Sequence, residues 1–146
     1  MKKILVINGP NINLLGLREP DIYGTQSYTD LLAFIDKAAS ETGFIAHCFQ
    51  SNSEGAIVDE IQRAYDQFDG VIINPAAYTH TSIAIPDALK AVGIPVVEVH
   101  LSDISQREAY RQISYTSEVC ISTITGKGFE GYKEAFAFLQ VLFDSI

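Results

Sequence analysis

Three short stretches of this chain carry side chains that could do chemistry. The first is GPNINLLGLREPDIYG, residues 9–24, which follows directly on the apolar run KILVIN. Arg18 and Tyr23 lie on either side of Glu19, Pro20, Asp21 and Ile22, so a turn at Pro20 would bring guanidinium and phenol face to face. A fixed cation favours phenolate over phenol. Bringing a tyrosine from its ordinary value of ~10 to neutrality takes about 3 pH units, roughly 4 kcal/mol, the scale of one close charge in a partly dry site. The alternative is a Tyr23 packed on the sheet edge beside a solvated Arg18. The second stretch is VVEVHLS, residues 96–102, where alternation along a strand sets Glu98 and His100 on one face and Val97, Val99 and Leu101 on the other. A histidine backed by a carboxylate is suited to general acid work, and a core histidine satisfied by backbone is the competing reading. The N–H groups of Leu101 and Ser102, with the serine hydroxyl, are placed to cradle a small anion. Arg107 and Arg111 would add positive charge there or pair with Glu108.

The third stretch is INPAAYTHTS, residues 73–82. Pro75 ends a strand, Thr79 or Thr81 would cap a helix, and Asn74, His80 and Ser82 stay near the strand end. A Ser82–His80–Asp87 hydrolase lacks the elbow motif that would present its serine. His80 and His100 have no third ligand at metal-binding spacing, so no metal is expected. Gly126, Gly128 and Gly131 match a dinucleotide fingerprint, but the chain ends before another strand could bring the ribose-binding acid, which leaves a tight turn with close helix packing. A phosphate-receiving domain would want acids where Asn8 and Asn74 stand.

The elements that must position these groups follow from periodicity. Five apolar runs, ILVIN, FIAHCF, GVIIN, VVEVHL and VCISTI, alternate with stretches of helical period. That pattern predicts a parallel sheet covered on both faces, an α/β, flavodoxin-like three-layer sandwich with a five-stranded parallel sheet. Helices are expected from Ser27 to Gly43, after Ser53, from Thr79 to Ala91, over 106–113, and from Tyr132 to Phe143. In such sheets ligands gather beyond the carboxyl ends of the strands, where Asn8, Asn74, His100 and Thr125 fall. The 9–24 connection exceeds the ~2–6 residues usual between strand and helix, which predicts a working lid.

The totals agree with one domain over residues 1–146: this length, at 47% hydrophobic, supports a core without disulfides. A net charge of −8 excludes nucleic acid and anionic membrane as main partners. Cys48 and Cys120 lie in predicted strands without ligand spacing, as buried free thiols suited to a reduced, cytoplasmic compartment. The start is too short in apolar residues for a signal peptide, and no stretch is long enough to span a bilayer.

Together, GPNINLLGLREPDIYG, INPAAYTHTSIAIPDAL, VEVHLSDISQREAYRQIS and the terminal GKGFEGY resemble the second class of 3-dehydroquinate dehydratases, across nearly the whole chain and in the family's order. The resemblance implies a small-molecule substrate, 3-dehydroquinate, with no cofactor and no imine intermediate. It implies Tyr23 as general base, Arg18 as the group that stabilises the enolate and helps ionise Tyr23, His100 as the acid for the departing hydroxyl, and Asn11 as the holder of a bridging water. Asn74, His80, Asp87 and Arg111 would bind substrate hydroxyls, and Leu101 with Ser102 its carboxylate. In relatives the aspartate matching Asp87 reaches a neighbouring subunit's site, and trimers build homododecamers. The sequence departs from the family's usual pattern at Ala76, Asp103 and Ser122, where glycine, asparagine and glycine are common; Asp103 is expected to weaken substrate binding. Removing water beside a ketone needs a base, a charge stabiliser and an acid, and Tyr23, Arg18 and His100 offer one of each. Of the lysines near the working edge only Lys127 is a candidate for a Schiff base. The rival readings are a non-catalytic sensor of polyhydroxy carboxylates and a flavin or nucleotide carrier, the latter without a phosphate loop after ILVIN.

Overall fold

The structure, a computed structural model, describes residues 1–17, 21 and 25–146. Strand β1 (Lys2–Asn8) sends Ile4 and Val6 to one side of the sheet and Leu5 and Ile7 to the other. Both sides are covered, which is why Ile4–Ile7 of β1 and Val71–Ile73 of β3 (Gly70–Asn74) run apolar without alternation and β4 (Val96–His100) is buried throughout, its Glu98 and His100 included. With β2 (Phe44–Gln50) and β5 (Ser122–Thr125) they form one sheet in the order β2-β1-β3-β4-β5, every neighbouring pair parallel. This is the flavodoxin-like α/β order expected from the sequence.

One face packs on α1 (Tyr28–Glu41) and α4 (Glu130–Asp144), with Leu31, Ile35, Tyr132, Phe136 and Leu139 in the core. The other packs on α2 (Glu54–Arg63) and α3 (Ala84–Val92) through Ile57, Ile61, Ile85 and Leu89. Sequence-readable serine caps start α1 and α2. The Ser27 hydroxyl accepts the Asp30 N–H at 3.1 Å while the Asp30 carboxylate accepts the Ser27 N–H at 2.9 Å, a capping box. Ser53 caps α2 through the Ala56 N–H. In the glycine-rich loop, Gly126 and Gly128 have positive φ, and a Cβ on Gly131 would come within 3.1 Å of the Val99 side chain. The fingerprint-like spacing thus serves a turn and a close helix approach.

Three expectations about the elements require correction. The third helix starts at Ala84, not Thr79, because Pro75 and a positive-φ Ala76 turn residues Ala76–His80 into a 3-10 helix first. Neither Thr79 nor Thr81 caps it; the Ser82 hydroxyl accepts the Ile85 N–H at 3.0 Å. The expected helix over 106–113 is two 3-10 turns, Ile104–Gln106 and Ala109–Arg111, separated by an extended Arg107. The fifth strand begins at Ser122, so Cys120 precedes it, next to the 3-10 turn Thr116–Val119. Both thiols are unpaired and half-buried, and burial pushes that of Cys48 up to about 12. Among the described residues no helix is long and apolar enough to cross a membrane.

Candidate active site

The register of the sheet brings the ends of β1 and β3 level, Asn8 beside Asn74. The Gly9 N–H donates to the Asn74 carbonyl at 2.8 Å, and a Cβ on Gly9 would lie 2.5 Å from the Pro75 carbonyl oxygen, so only glycine fits there. Beyond these ends opens a cleft. Pro10, Asn11 and Ile12 line it after β1; Asn74, Ala76, Ala77 and His80 after β3; His100, Leu101, Ser102, Ile104, Arg107 and Arg111 after β4. Asn11, Asn74, His80, His100, Leu101, Ser102 and Arg111, all singled out from the sequence, therefore share one cavity. Asp87 does not line it and stands exposed in the first turn of α3. Arg18 and Tyr23 lie outside the described residues. Ser82 is buried in its capping bond, which removes the hydrolase reading, and Lys127 is tied to Glu134 at 2.7 Å away from the cleft.

Four local arrangements hold the cleft residues. Glu98 is fully buried, and its carboxylate meets Nε2 of His100. The Ser114 hydroxyl donates to the same carboxylate, 2.9 Å from Oε2 and 3.2 Å from Oε1. The bond fixes the ring and leaves Nδ1 as the nitrogen for a ligand. His80 is held by Nδ1 at 2.7 Å from the Ile113 carbonyl. A carbonyl only accepts, so Nδ1 carries the proton and Nε2 of the neutral ring is an acceptor. Burial first, helped by the neighbouring His100 and Arg111, pulls the His80 pKa below the usual histidine value, against the opposing effects of the Ile113 carbonyl and of Glu98.

Asn74 is oriented by the same logic. Its Oδ1 accepts the Ala76 N–H at 3.1 Å, so its amide nitrogen faces the Tyr132 hydroxyl at 3.2 Å, and that hydroxyl donates to Oδ1 of Asn8 at 2.6 Å. Asn11, in the left-handed region at φ 70°, is held by its N–H on the Asn52 side chain at 3.0 Å. Gln50 adds bonds to the Gly9 carbonyl and to Asn13 and Asn52. At the other wall, N–H groups of Gly126 and Gly128 hold the carbonyls of His100, Leu101 and Ser102. Arg107 reaches the Ser102 hydroxyl at 3.4 Å and, with Arg111, approaches Glu108. Two guanidiniums over a serine loop make this end of the cleft suited to a carboxylate. Sequence reasoning missed Ser114, Tyr132 and Asn52; their partners are distant in sequence, and no local spacing marks them.

A family model described as dehydroquinase class II matches residues 2–140. The chain belongs to this family. The stretches 9–24, 73–89 and 97–114, on which the resemblance rested, follow β1 or run out of the ends of β3 and β4, and their described parts meet at the cleft. The 3-dehydroquinate dehydratase of Caldicellulosiruptor bescii is 52% identical over 145 residues, covering 99% of this chain and 100% of that protein. That of Clostridium acetobutylicum is 55% identical over 130 residues, covering 89% and 90%. Among solved structures, the type II dehydroquinase from Butyrivibrio crossotus aligns with TM-score 0.92 at 49% identity, over 94% of this chain and 97% of the other. A 3-dehydroquinate dehydratase-like protein from Bifidobacterium longum aligns with TM-score 0.73 at 31% identity, over 98% of both chains.

Proposed function

We propose that this chain, working as one flavodoxin-like catalytic domain over residues 1–146, converts 3-dehydroquinate to 3-dehydroshikimate by a stepwise trans elimination of water that uses side chains alone. The observation that carries this reading is the convergence of Asn11, Asn74, His80, His100, Leu101, Ser102 and Arg111 on one cleft of a class II dehydroquinase fold. Tyr23, as phenolate beside Arg18, takes the proton from the carbon next to the ketone, and the electron pair moves onto the carbonyl oxygen as an enolate. Asn11 holds a water that bridges to this oxygen. The enolate then re-forms the ketone as the new carbon–carbon double bond forms, and the hydroxyl leaves with a proton from His100 as water. Asn74, His80 and Arg111 hold the ring hydroxyls. Leu101 and Ser102 hold the carboxylate, and Arg107 adds charge beside them.

Asp87, exposed on α3, completes a neighbouring subunit's site in a homododecamer built from trimers. The enzyme acts in the cytoplasm, in the shikimate pathway of aromatic amino-acid synthesis or in quinate breakdown. Purified protein with chelator present is expected to generate the conjugated enone, followed in the ultraviolet; absence of turnover, or its loss on chelation, overturns the reading. Tyr23→Phe is expected to lower kcat by at least ~10²-fold with circular dichroism unchanged. Retention of most activity removes Tyr23 as the base. Borohydride with substrate is expected to trap no lysine adduct.

A further inference from the structure

Residues 113–115 touch one cleft histidine, His80, directly and reach the other, His100, through Glu98. The Ile113 carbonyl accepts from Nδ1 of His80 at 2.7 Å, the Tyr115 N–H donates to the Thr79 carbonyl at 3.0 Å, and between them Ser114 bonds the Glu98 carboxylate that holds His100. The segment is therefore pinned on both flanks to the 3-10 turn after β3, while its central side chain reaches the end of β4. The Ser117 N–H donates to the Ser114 oxygen at 3.0 Å. With that lone pair occupied by a donor, the single hydroxyl proton is directed at the carboxylate.

Glu98 is fully buried and lies two residues before His100 on the same strand face, so its carboxylate plane decides where the imidazole points. A carboxylate bonded only to the ring could rotate about its terminal torsion and carry the ring with it. The second bond stops that rotation. We propose that Ser114 is a positioning residue for the acid step: its hydroxyl fixes the Glu98 carboxylate and thereby His100, on a segment that also sets His80 relative to His100. This rests on the dehydratase reading above, in which His100 is the acid.

Ser114→Ala is expected to lower kcat roughly 10-fold, a part of the ~10²–10⁴-fold that a placed general acid contributes, with KM changed less than about two-fold. Ser114→Thr keeps the hydroxyl and is expected to restore kcat to within about three-fold of the parent. A kcat for Ser114→Ala within about two-fold of the parent overturns the proposal, as does a threonine variant no faster than the alanine one. A purely structural serine would lower the melting temperature and leave kcat of the folded fraction unchanged. Should Ser114→Ala not fold, Ser114→Cys, a weaker donor of similar size, carries the same expectation and the same overturning result. A readout independent of turnover keeps this inference separate from the dehydratase reading: in ¹⁵N-histidine-labelled protein, Ser114→Ala is expected to shift or broaden the His100 ring signals and leave those of His47 in place. Unmoved His100 signals overturn it even if the parent protein turns over nothing.

Discussion

At the residue scale, the side chains that define the cleft are those whose alternatives the backbone removes. Ala76 sits at φ 52°, a left-handed conformation that costs a residue with a Cβ about 1–2 kcal/mol, in the turn that aims Asn74. Ala76→Gly relieves this and adds chain entropy to the unfolded state, so a net gain of about 0.5–1 kcal/mol is expected in urea denaturation. No gain would mean that the turn does not resist the Cβ. The depressed pKa of His80 has a definite sign in stability. The unfolded chain binds the proton more tightly, so the contribution is present above the ordinary histidine value of ~6.5 and is lost as pH falls below it toward the lower folded value. His80→Gln is expected to flatten part of the decline in denaturation midpoint between about pH 7 and pH 5; an unaltered slope would assign that decline to other groups. Asp103, expected to repel a bound carboxylate, accepts both the N–H and the hydroxyl of Ser105, at 3.0 and 2.6 Å, so much of its charge is engaged locally.

At the element scale, the junction of β1 and β3 is the tightest point beneath the site. A methyl on Gly9 would meet backbone atoms of Pro75, which cannot swing aside as a side chain would. Gly9→Ala is expected to cost about 2–3 kcal/mol and to raise KM along with it, because the segments bearing Asn11 and Asn74 must separate. A melting temperature equal to that of the parent would refute this. The strands and three of the four described helices were legible because apolar period and serine caps are local signals: Ser27 and Ser53 announce α1 and α2, and Phe136, Leu139 and Phe143 announce α4. The start of α3 was not, since the turn that delays it depends on how β3 meets Gly9. Residues 104–119 were not either. Their polar side chains have helical spacing, but Ser114 is satisfied by Glu98, sixteen positions away, and a contact of that span leaves no periodic trace.

At the scale of the whole molecule, net charge and cleft charge have opposite signs. The chain carries −8 overall, while Arg107 and Arg111 stand at the cleft beside Glu108. Under the proposed function a substrate carboxylate is drawn by these local charges against the net charge, and raising salt is expected to weaken its binding. The exposed position of Asp87, outside the cleft of its own chain, makes a distinctive prediction for the assembly. Asp87→Ala and Tyr23→Phe, each impaired alone, are expected to regain activity when co-refolded, since some mixed sites would receive an intact member of each kind. Activity no higher than the mean of the two would place Asp87 outside the neighbour's site. That Asn74 and His100 would meet beside the loop bearing Asn11 was legible because all three fall at or just past the carboxyl ends of predicted parallel strands; how they are held was not, because Tyr132 joins Asn8 and Asn74 from the far end of the chain. This phenol has a consequence for synthesis on the ribosome. Every cleft-lining residue has been made before Tyr132 emerges, yet the amide pair beneath the cleft stays unbridged until the last helix docks, so a nascent or prematurely stopped chain would own the pocket's walls without its floor.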